Sequence, residues 1–256
     1  MDHVHSAAQR GFTDQAVAYA RGRPDYPTEL STWLKGTLGL AAGKTVVDLG
    51  AGTGKFTPLL VATGARVQAV EPVDAMRAQL AKKLSEVDTY GGSAQAMPLA
   101  AGTVDSVICA QAFHWFADDA ALAEIHRVLK PAGRLGLVWN VRDESVDWVH
   151  ALTEIVTPYE GDAPRFYKGL WRKPFETTRL FSPLEETRFP YEHVGPPEEV
   201  IVDRFMSVSF IAALPAAGQD EVRAQLRHLV VTHPALKGRE RVAFPYQTSA
   251  YLSRRL

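Results

Sequence analysis

Val46-Val47-Asp48-Leu49-Gly50-Ala51-Gly52-Thr53-Gly54 joins a short run of β-forming residues to three glycines at alternate positions. The segment Thr45 to Leu49 is largely apolar and is stopped by glycine, the pattern of a strand buried on both faces of a sheet. Phe56-Thr57-Pro58-Leu59-Leu60-Val61 comes next and reads as the start of a helix. A strand entering a helix through a glycine turn lets backbone come close to a ligand. It also aims N–H groups and the positive end of the helix dipole at that ligand. Glu71 ends the next apolar run, Val67-Gln68-Ala69-Val70. An acid at the tip of the second strand is placed to hold the hydroxyls of a ribose.

Three ligand classes compete for such a turn. A phosphate-binding loop needs glycine, four residues, then Gly-Lys-Ser/Thr. Here Leu49 stands five before Gly54, and Phe56 follows Lys55, so no hydroxyl is available for magnesium. A dinucleotide fingerprint needs a third glycine or alanine where Lys55 stands. An adenosyl ligand without phosphate is the third class. Asp48 separates them, because a carboxylate ahead of the glycines repels a pyrophosphate and attracts an ammonium group. S-adenosylmethionine carries an ammonium, a carboxylate, a sulfonium and a ribose. Asp48 suits the ammonium, the N–H groups of the turn suit the carboxylate, and Glu71 suits the ribose.

The sequence resembles the class I S-adenosylmethionine-dependent methyltransferases. The resemblance rests on Val47-Asp48-Leu49-Gly50-Ala51-Gly52-Thr53-Gly54, Val70-Glu71-Pro72, Gly92-Ser93-Ala94-Gln95-Ala96-Met97-Pro98-Leu99 and Val107-Ile108-Cys109-Ala110-Gln111-Ala112-Phe113-His114-Trp115-Phe116, in that order. It is nearest to the branch acting on small molecules, which includes trans-aconitate methyltransferase-like proteins, and it covers residues 10 to 140 best. It implies S-adenosyl-L-methionine as cofactor, S-adenosyl-L-homocysteine as product and a small-molecule acceptor. It implies cofactor contacts from Asp48, Gly50, Ala51, Gly52, Thr53, Gly54, Glu71, Pro72 and Met76. Ser93, Ala94 and Gln95 stand where the family reads the adenine amino group, with Ser93 in place of the usual acid, and Gln111 and His114 face the cofactor beyond them. The segment Tyr19-x-x-x-Arg23-Pro24-x-Tyr26-Pro27 matches a lid over the cofactor in this branch, so Tyr19 and Arg23 join these contacts. Trp115, Trp139, Tyr167 and Trp171 are the expected substrate-binding residues.

Composition bounds the rest. A chain of 256 residues buries roughly 70–75% of its unfolded surface, enough for a core without staples. The formal net charge is −1, which gives no field for steering nucleic acid. Cys109 is the single cysteine and lies in an apolar run, which suits a reducing compartment. His3/His5 and His228/His233 lack good metal spacing, so no metal is expected. Neither a signal peptide nor an apolar run of spanning length is visible. The expectation is a cytoplasmic protein, monomer or homodimer, without nucleic-acid or membrane partners.

Read in order, the chain alternates strands and helices. Residues 1 to 12 read as loosely ordered and Thr13 to Ala20 as a short helix. Thr28 or Ser31 can cap a helix through Leu38. Strands are expected at Thr45–Leu49, Arg66–Glu71, Thr89–Gly92, Val104–Gln111 and Arg134–Trp139. Helices are expected from Thr57, from Asp74 as cap, and from Asp118 or Asp119 to Lys130. The alternation predicts an α/β fold, a Rossmann-like, mostly parallel sheet with helices on both faces, and ligands at the carboxyl ends of its strands. After Asn140 the pattern loosens. A helix over Asp147–Thr157 leads into residues 158 to 182, where aromatic side chains alternate with Arg165, Lys168, Arg172 and Lys173. This stretch reads as a cap contributing to the acceptor pocket. Strands at Leu184–Tyr191 and Arg241–Ser253, separated by helices over Pro197–Phe210 and Gln219–Val231, complete a seven-stranded sheet whose last strand is antiparallel. The organisation expected is one domain: a lid and helix over 1–43, a cofactor core over 44–140, and a cap with edge strands over 141–256.

A sulfonium makes its methyl group electrophilic, so the protein has mainly to hold donor and acceptor together. If the acceptor is a hydroxyl, a base helps. His114 is the candidate catalytic base, and its other reading is a pocket wall. An NAD-type oxidoreductase, a cofactor-binding regulator without turnover, and a tRNA or protein methyltransferase are the competing functions. The last is weakened by Gln111-Ala112-Phe113-His114 standing where an Asn/Asp-Pro-Pro-Tyr motif would be.

Overall fold

The computed structural model describes residues 23–256. The expected helix over Thr13–Ala20 and Tyr19 lie outside them. Seven strands form one sheet in the order β3-β2-β1-β4-β5-β7-β6. They are β1 (Thr45–Leu49), β2 (Arg66–Val70), β3 (Asp88–Tyr90), β4 (Val104–Ala110), β5 (Leu129–Arg142), β6 (Glu185–Gly195) and β7 (Val242–Arg254). The pairs among β1 to β5 are parallel. β7 runs antiparallel to both its neighbours, so it alone opposes the other six. The Rossmann-like architecture expected from the alternation of elements is the one observed.

Each central strand is buried on both faces, which is why it reads as a continuous apolar run. Alternate residues feed two cores. Val46, Val67, Ala69, Ile108 and Val138 pack with Leu30, Trp33 and Leu34 of the helix Glu29–Gly36 and with Leu60 and Leu80. Val47, Val70, Val107, Cys109 and Leu137 pack with Leu122, Ile125 and Val128 of the helix Asp119–Val128. A third core, around Val149, Leu152, Phe205, Ile211 and Phe244, sits under the segments after β5.

Several boundaries differ from the sequence reading. The helix Asp119–Val128 stops two residues early because the chain turns straight into β5, which begins at Leu129, five residues before Arg134. Asp118 is its cap, its carboxylate accepting from the Ala121 N–H at 2.7 Å. Asp74 is the first residue of its helix, not its cap; Val73 holds the cap position, and Asp74 pairs with Arg77 at 2.7 Å. The continuous helix expected over Pro197–Phe210 is broken into a π turn (Glu198–Asp203) and two short α segments, Arg204–Met206 and Ser209–Ala212. A π turn adds a residue to the helical repeat and re-aims the chain beyond it.

Candidate active site

The carboxyl ends of β1 to β5 converge, as the doubly wound topology requires. An open cavity of about 1260 Å³ lies there, walled by the glycine turn after β1, by Glu71 and Pro72 after β2, and by Gly92 to Gln95 after β3. Gly50 has φ +72°, and a Cβ on it would meet the Ala112 Cβ at 2.7 Å. Glycine is therefore required both for the backbone conformation and for the close packing of the β1 and β4 ends. Gly52 has φ +58° and nothing within 4 Å of where its Cβ would be. Its open face is cavity space.

Two carboxylates face this cavity. Glu71 is 5% exposed. One of its oxygens accepts the Gly52 N–H and the other the Val73 N–H, both at 2.9 Å. These bonds fix the carboxylate while leaving each oxygen a further lone pair. Burial pushes its pKa up, against the downward pull of the two N–H groups. Asp48 is 1% exposed, with one oxygen accepting from the Thr57 hydroxyl at 2.7 Å. Its other oxygen, Oδ1, has no hydrogen-bond partner among the described residues. Burial, opposed by Thr57 and reinforced by the Glu71 charge, pushes the Asp48 carboxyl up to about 7. A buried carboxylate oxygen without a partner is costly, and a cationic group entering the cavity relieves that cost.

The glycine turn itself differs from the sequence reading. Its N–H groups were expected to face a ligand carboxylate. Instead Gly50 and Ala51 donate to the Val70 carbonyl, Gly52 to Glu71, and Gly54 to the Ala51 carbonyl. Four N–H groups of the turn are thus engaged within the protein, and cations are also at hand for a ligand carboxylate: Arg23, Lys55 and Arg204 all line the cavity.

The structure brings Arg23, Asp48, Gly50, Ala51, Gly52, Thr53, Glu71, Pro72, Met76, Ser93, Ala94, Gln95, Gln111 and Trp115 to one wall system. Gly54 is not on it; its φ is +77° and its Cα faces Leu80, so it serves the turn and its packing. The Ser93 hydroxyl is buried without a partner among the described residues. The Gln95 amide is already held by Asp118 at 3.0 Å. Arg23 begins a strap over the strand ends. Asp25 of this strap pairs with Lys55, its carbonyl accepts from Asn140, and Tyr26 stands edge-on to Phe56.

A second cavity of about 800 Å³ adjoins the first, and Gln111, Trp115, Arg23 and Arg204 line both. His114, Trp139 and Tyr167 line the second cavity only. Gln111, immediately after β4, has φ +57° without being glycine. Backbone of that kind costs of order 1–3 kcal/mol and concentrates at functional sites. Trp171 is not at the cavity. It is 1% exposed and packs among Trp139, Phe166 and Tyr251, which corrects its reading as a substrate contact.

His114 is also corrected as a base. The Trp139 indole N–H donates to its Nδ1 at 3.1 Å. An indole nitrogen only donates, so the neutral ring carries its proton on Nε2 and has no lone pair left to accept another. Burial, with Arg165 and Arg23 nearby, pulls its pKa down to about 3, which keeps the ring neutral. His114 is a hydrogen-bond donor at the cavity. The cavity residues that escaped the sequence reading of the site include Asn140, Arg142 and Arg204. Arg165 was visible only as one cation of an aromatic–basic stretch. Asn140 and Arg142 lie at the carboxyl end of β5, beside the end of β4 that carries Gln111, and that position was the available signal.

Among the described residues no group of side chains has metal-ligating geometry, and no helix is long and apolar enough to cross a membrane.

The chain is similar to known methyltransferases. Residues 47–137 match the family model of a methyltransferase domain. An uncharacterised methyltransferase-like protein of Schizosaccharomyces pombe is 38% identical over 94% of each chain. An uncharacterised methyltransferase of Mycobacterium tuberculosis is 40% identical over 93% of this chain and 92% of its own. A solved structure assigned to the type II methyltransferases, from Anaeromyxobacter dehalogenans, superposes with a TM-score of 0.61 at 25% identity, covering 91% of this chain and 96% of that one. The dinucleotide-oxidoreductase reading falls away. With an acid oxygen near the end of β1 that has no partner among the described residues, a fixed carboxylate after β2 and kinship along almost its whole length, the chain belongs to the class I S-adenosylmethionine-dependent methyltransferases.

Proposed function

We propose that the protein transfers a methyl group from S-adenosylmethionine, held in the first cavity, to a small molecule held in the second. The observation that carries this reading is the shared wall: Gln111 and Trp115 line both chambers, at the end of β4. When bound, S-adenosylmethionine supplies a methyl group already activated by its sulfonium. The chain's own residues bind and position. Asp48 takes the cofactor ammonium on its Oδ1, and Arg23 takes the carboxylate. Glu71, fixed by Gly52 and Val73, accepts from the ribose hydroxyls. Pro72 and Met76 lie against the adenine, and the Ser93 hydroxyl meets its polar edge. Ala51, Thr53 and Ala94 complete the wall, while Gln95 is committed to Asp118. Trp115 and Trp139 enclose the acceptor side, and Tyr167, whose hydroxyl donates to Glu160 at 2.6 Å, closes its rim. Alignment of this kind supplies roughly 7–11 kcal/mol of a methyl-transfer barrier.

The second cavity is a recess of side chains from one chain, which supports a small-molecule acceptor over a tRNA or a protein. Calorimetric titration with S-adenosylhomocysteine, and with NAD as the control, tests the cofactor half of the proposal. Binding of the former alone is expected. A product screen by mass spectrometry against small acids, phenols, amines and thiols tests the other half. Turnover confined to a polypeptide or tRNA overturns the small-molecule assignment.

A further inference from the structure

The first cavity holds two buried groups of opposite charge whose polar atoms lack partners among the described residues. One is Asp48, through its Oδ1. The other is Arg204, the first residue of the short helix that follows the π turn. Arg204 is 9% exposed, and its Nε and Nη1 have no hydrogen-bond partner among the described residues. The other two cations of the cavity have bonds of their own. Lys55 pairs with Asp25 of the strap at 2.5 Å, and Arg23 donates to the Ser207 carbonyl at 3.1 Å.

A buried guanidinium with unsatisfied donors is costly to hold, and a well-packed apolar side chain in its place would serve the fold as well. Burial, and after it the charge of Arg204, pull Arg142 down to about 10 and move His193 in the same direction, so the Arg204 charge reaches residues of both β5 and β6. The amino-acid end of S-adenosylmethionine carries an ammonium and a carboxylate on one carbon. Asp48 complements the first, and the guanidinium fork complements the second.

Arg204 also stands on the boundary between the chambers, lining both. Its carbonyl accepts from the Ser207 hydroxyl at 2.7 Å, and the next two residues, Val208 and Ser209, line the second cavity. Ser207 is in turn the anchor of Arg23. A carboxylate held by Arg204 would therefore join the strap to the wall of the acceptor chamber.

Resting on the cofactor placement proposed above, we infer that Arg204 clamps the cofactor carboxylate together with Arg23, and that filling this clamp steadies the segment 204–209 at the acceptor chamber.

The test titrates the full chain by calorimetry with S-adenosylhomocysteine, with its decarboxylated amine, and with 5′-methylthioadenosine, which has neither charged group. Wild type is expected to bind the amine at least about tenfold more weakly than S-adenosylhomocysteine. Arg204→Met should weaken S-adenosylhomocysteine about 10- to 150-fold, yet leave the amine and 5′-methylthioadenosine each within about threefold of wild type. Arg204→Lys keeps the charge and should recover part of the loss. Amide exchange in wild type reads the second half: S-adenosylhomocysteine should slow exchange over 204–209, and 5′-methylthioadenosine should not. This measurement also carries the test if the variants do not fold. An Arg204→Met variant with unchanged S-adenosylhomocysteine affinity overturns the inference. So does one that loses all three ligands alike, the mark of a structural arginine, or equal protection of 204–209 by 5′-methylthioadenosine. Wild type that binds the three ligands equally fails the clamp alone, whereas wild type that binds none of them fails the cofactor placement.

Discussion

Replacing Asp48 by asparagine should strengthen the fold and weaken the cofactor at once. The carboxyl sits at about 7 in the folded chain against 3.8 for an ordinary aspartate. Below pH 3.8 both folded and unfolded forms are protonated and the group makes no difference to stability. Between 3.8 and about 7 the folded form keeps a proton that the unfolded form has lost, so stability falls as pH rises. At about 1.4 kcal/mol per pH unit, the accumulated penalty is about 4 kcal/mol above pH 7. The Asp48→Asn variant escapes it, and the amide oxygen can still accept from Thr57. The amide nitrogen then occupies the place of Oδ1 with no partner, which returns about 1–3 kcal/mol of cost. The net expectation is a variant more stable than wild type by about 1–3 kcal/mol at about pH 8, with the advantage gone by about pH 4. The cofactor changes the other way. A charged hydrogen bond worth about 1.5–3 kcal/mol is lost with the ammonium, so S-adenosylhomocysteine affinity should drop about 10- to 150-fold. Urea unfolding of the ligand-free proteins at these two pH values, with calorimetry at the higher one, reads both quantities. Coincident urea curves at the higher pH together with an unchanged dissociation constant would refute the reasoning that Asp48 is a costly acid held for a cation.

The same geometry sets three further outcomes. Glu71→Ala removes a carboxylate that Gly52 and Val73 hold in place, and calorimetry should show S-adenosylhomocysteine weakened about tenfold or more; an unchanged affinity argues against the ribose placement. His114→Gln keeps an N–H donor at the cavity, so kcat against pH across the ordinary histidine range should keep the wild-type shape, as expected of a ring whose pKa lies at about 3; the loss of a limb in that range would restore the base. Gly50→Ala meets both φ +72° and a 2.7 Å contact with Ala112, and urea unfolding should show a loss of about 1–3 kcal/mol or more, because backbone strain and overpacking act together.

The parts of the fold that were legible in the sequence are those set by local pattern. Thr45–Leu49 is apolar, short and stopped by glycine, and it is β1 to the residue. Asp48 and Glu71 stand at strand ends, where topology forces side chains together, so their proximity came with knowing where the strands stop. Other features depend on through-space partners. His114 reads as a base until Trp139, 25 residues on, takes its Nδ1. Trp171 reads as a pocket aromatic, yet stacking with Trp139 and Phe166 buries it in the core. Arg142 stands at the start of the loosely patterned half and Arg204 near its middle, and no periodicity announces a π turn. The interruption over Glu198–Asp203 is what delivers Arg204 to the cavity, and its sequence is as apolar as a plain helix.

β6 hydrogen-bonds to nothing in the sheet except β7, which the ribosome makes after it. The strands around the glycine turn find their partners among β1 to β5, all of them made before β6. Nascent chain could therefore shape the nucleoside chamber early, whereas the arginine side is completed only when β7 slots between β5 and β6. The same seam is the natural line for cooperative local opening: slower amide exchange in β1 and β4 than in β6 would mark a protein able to retain its methyl donor while its acceptor chamber breathes.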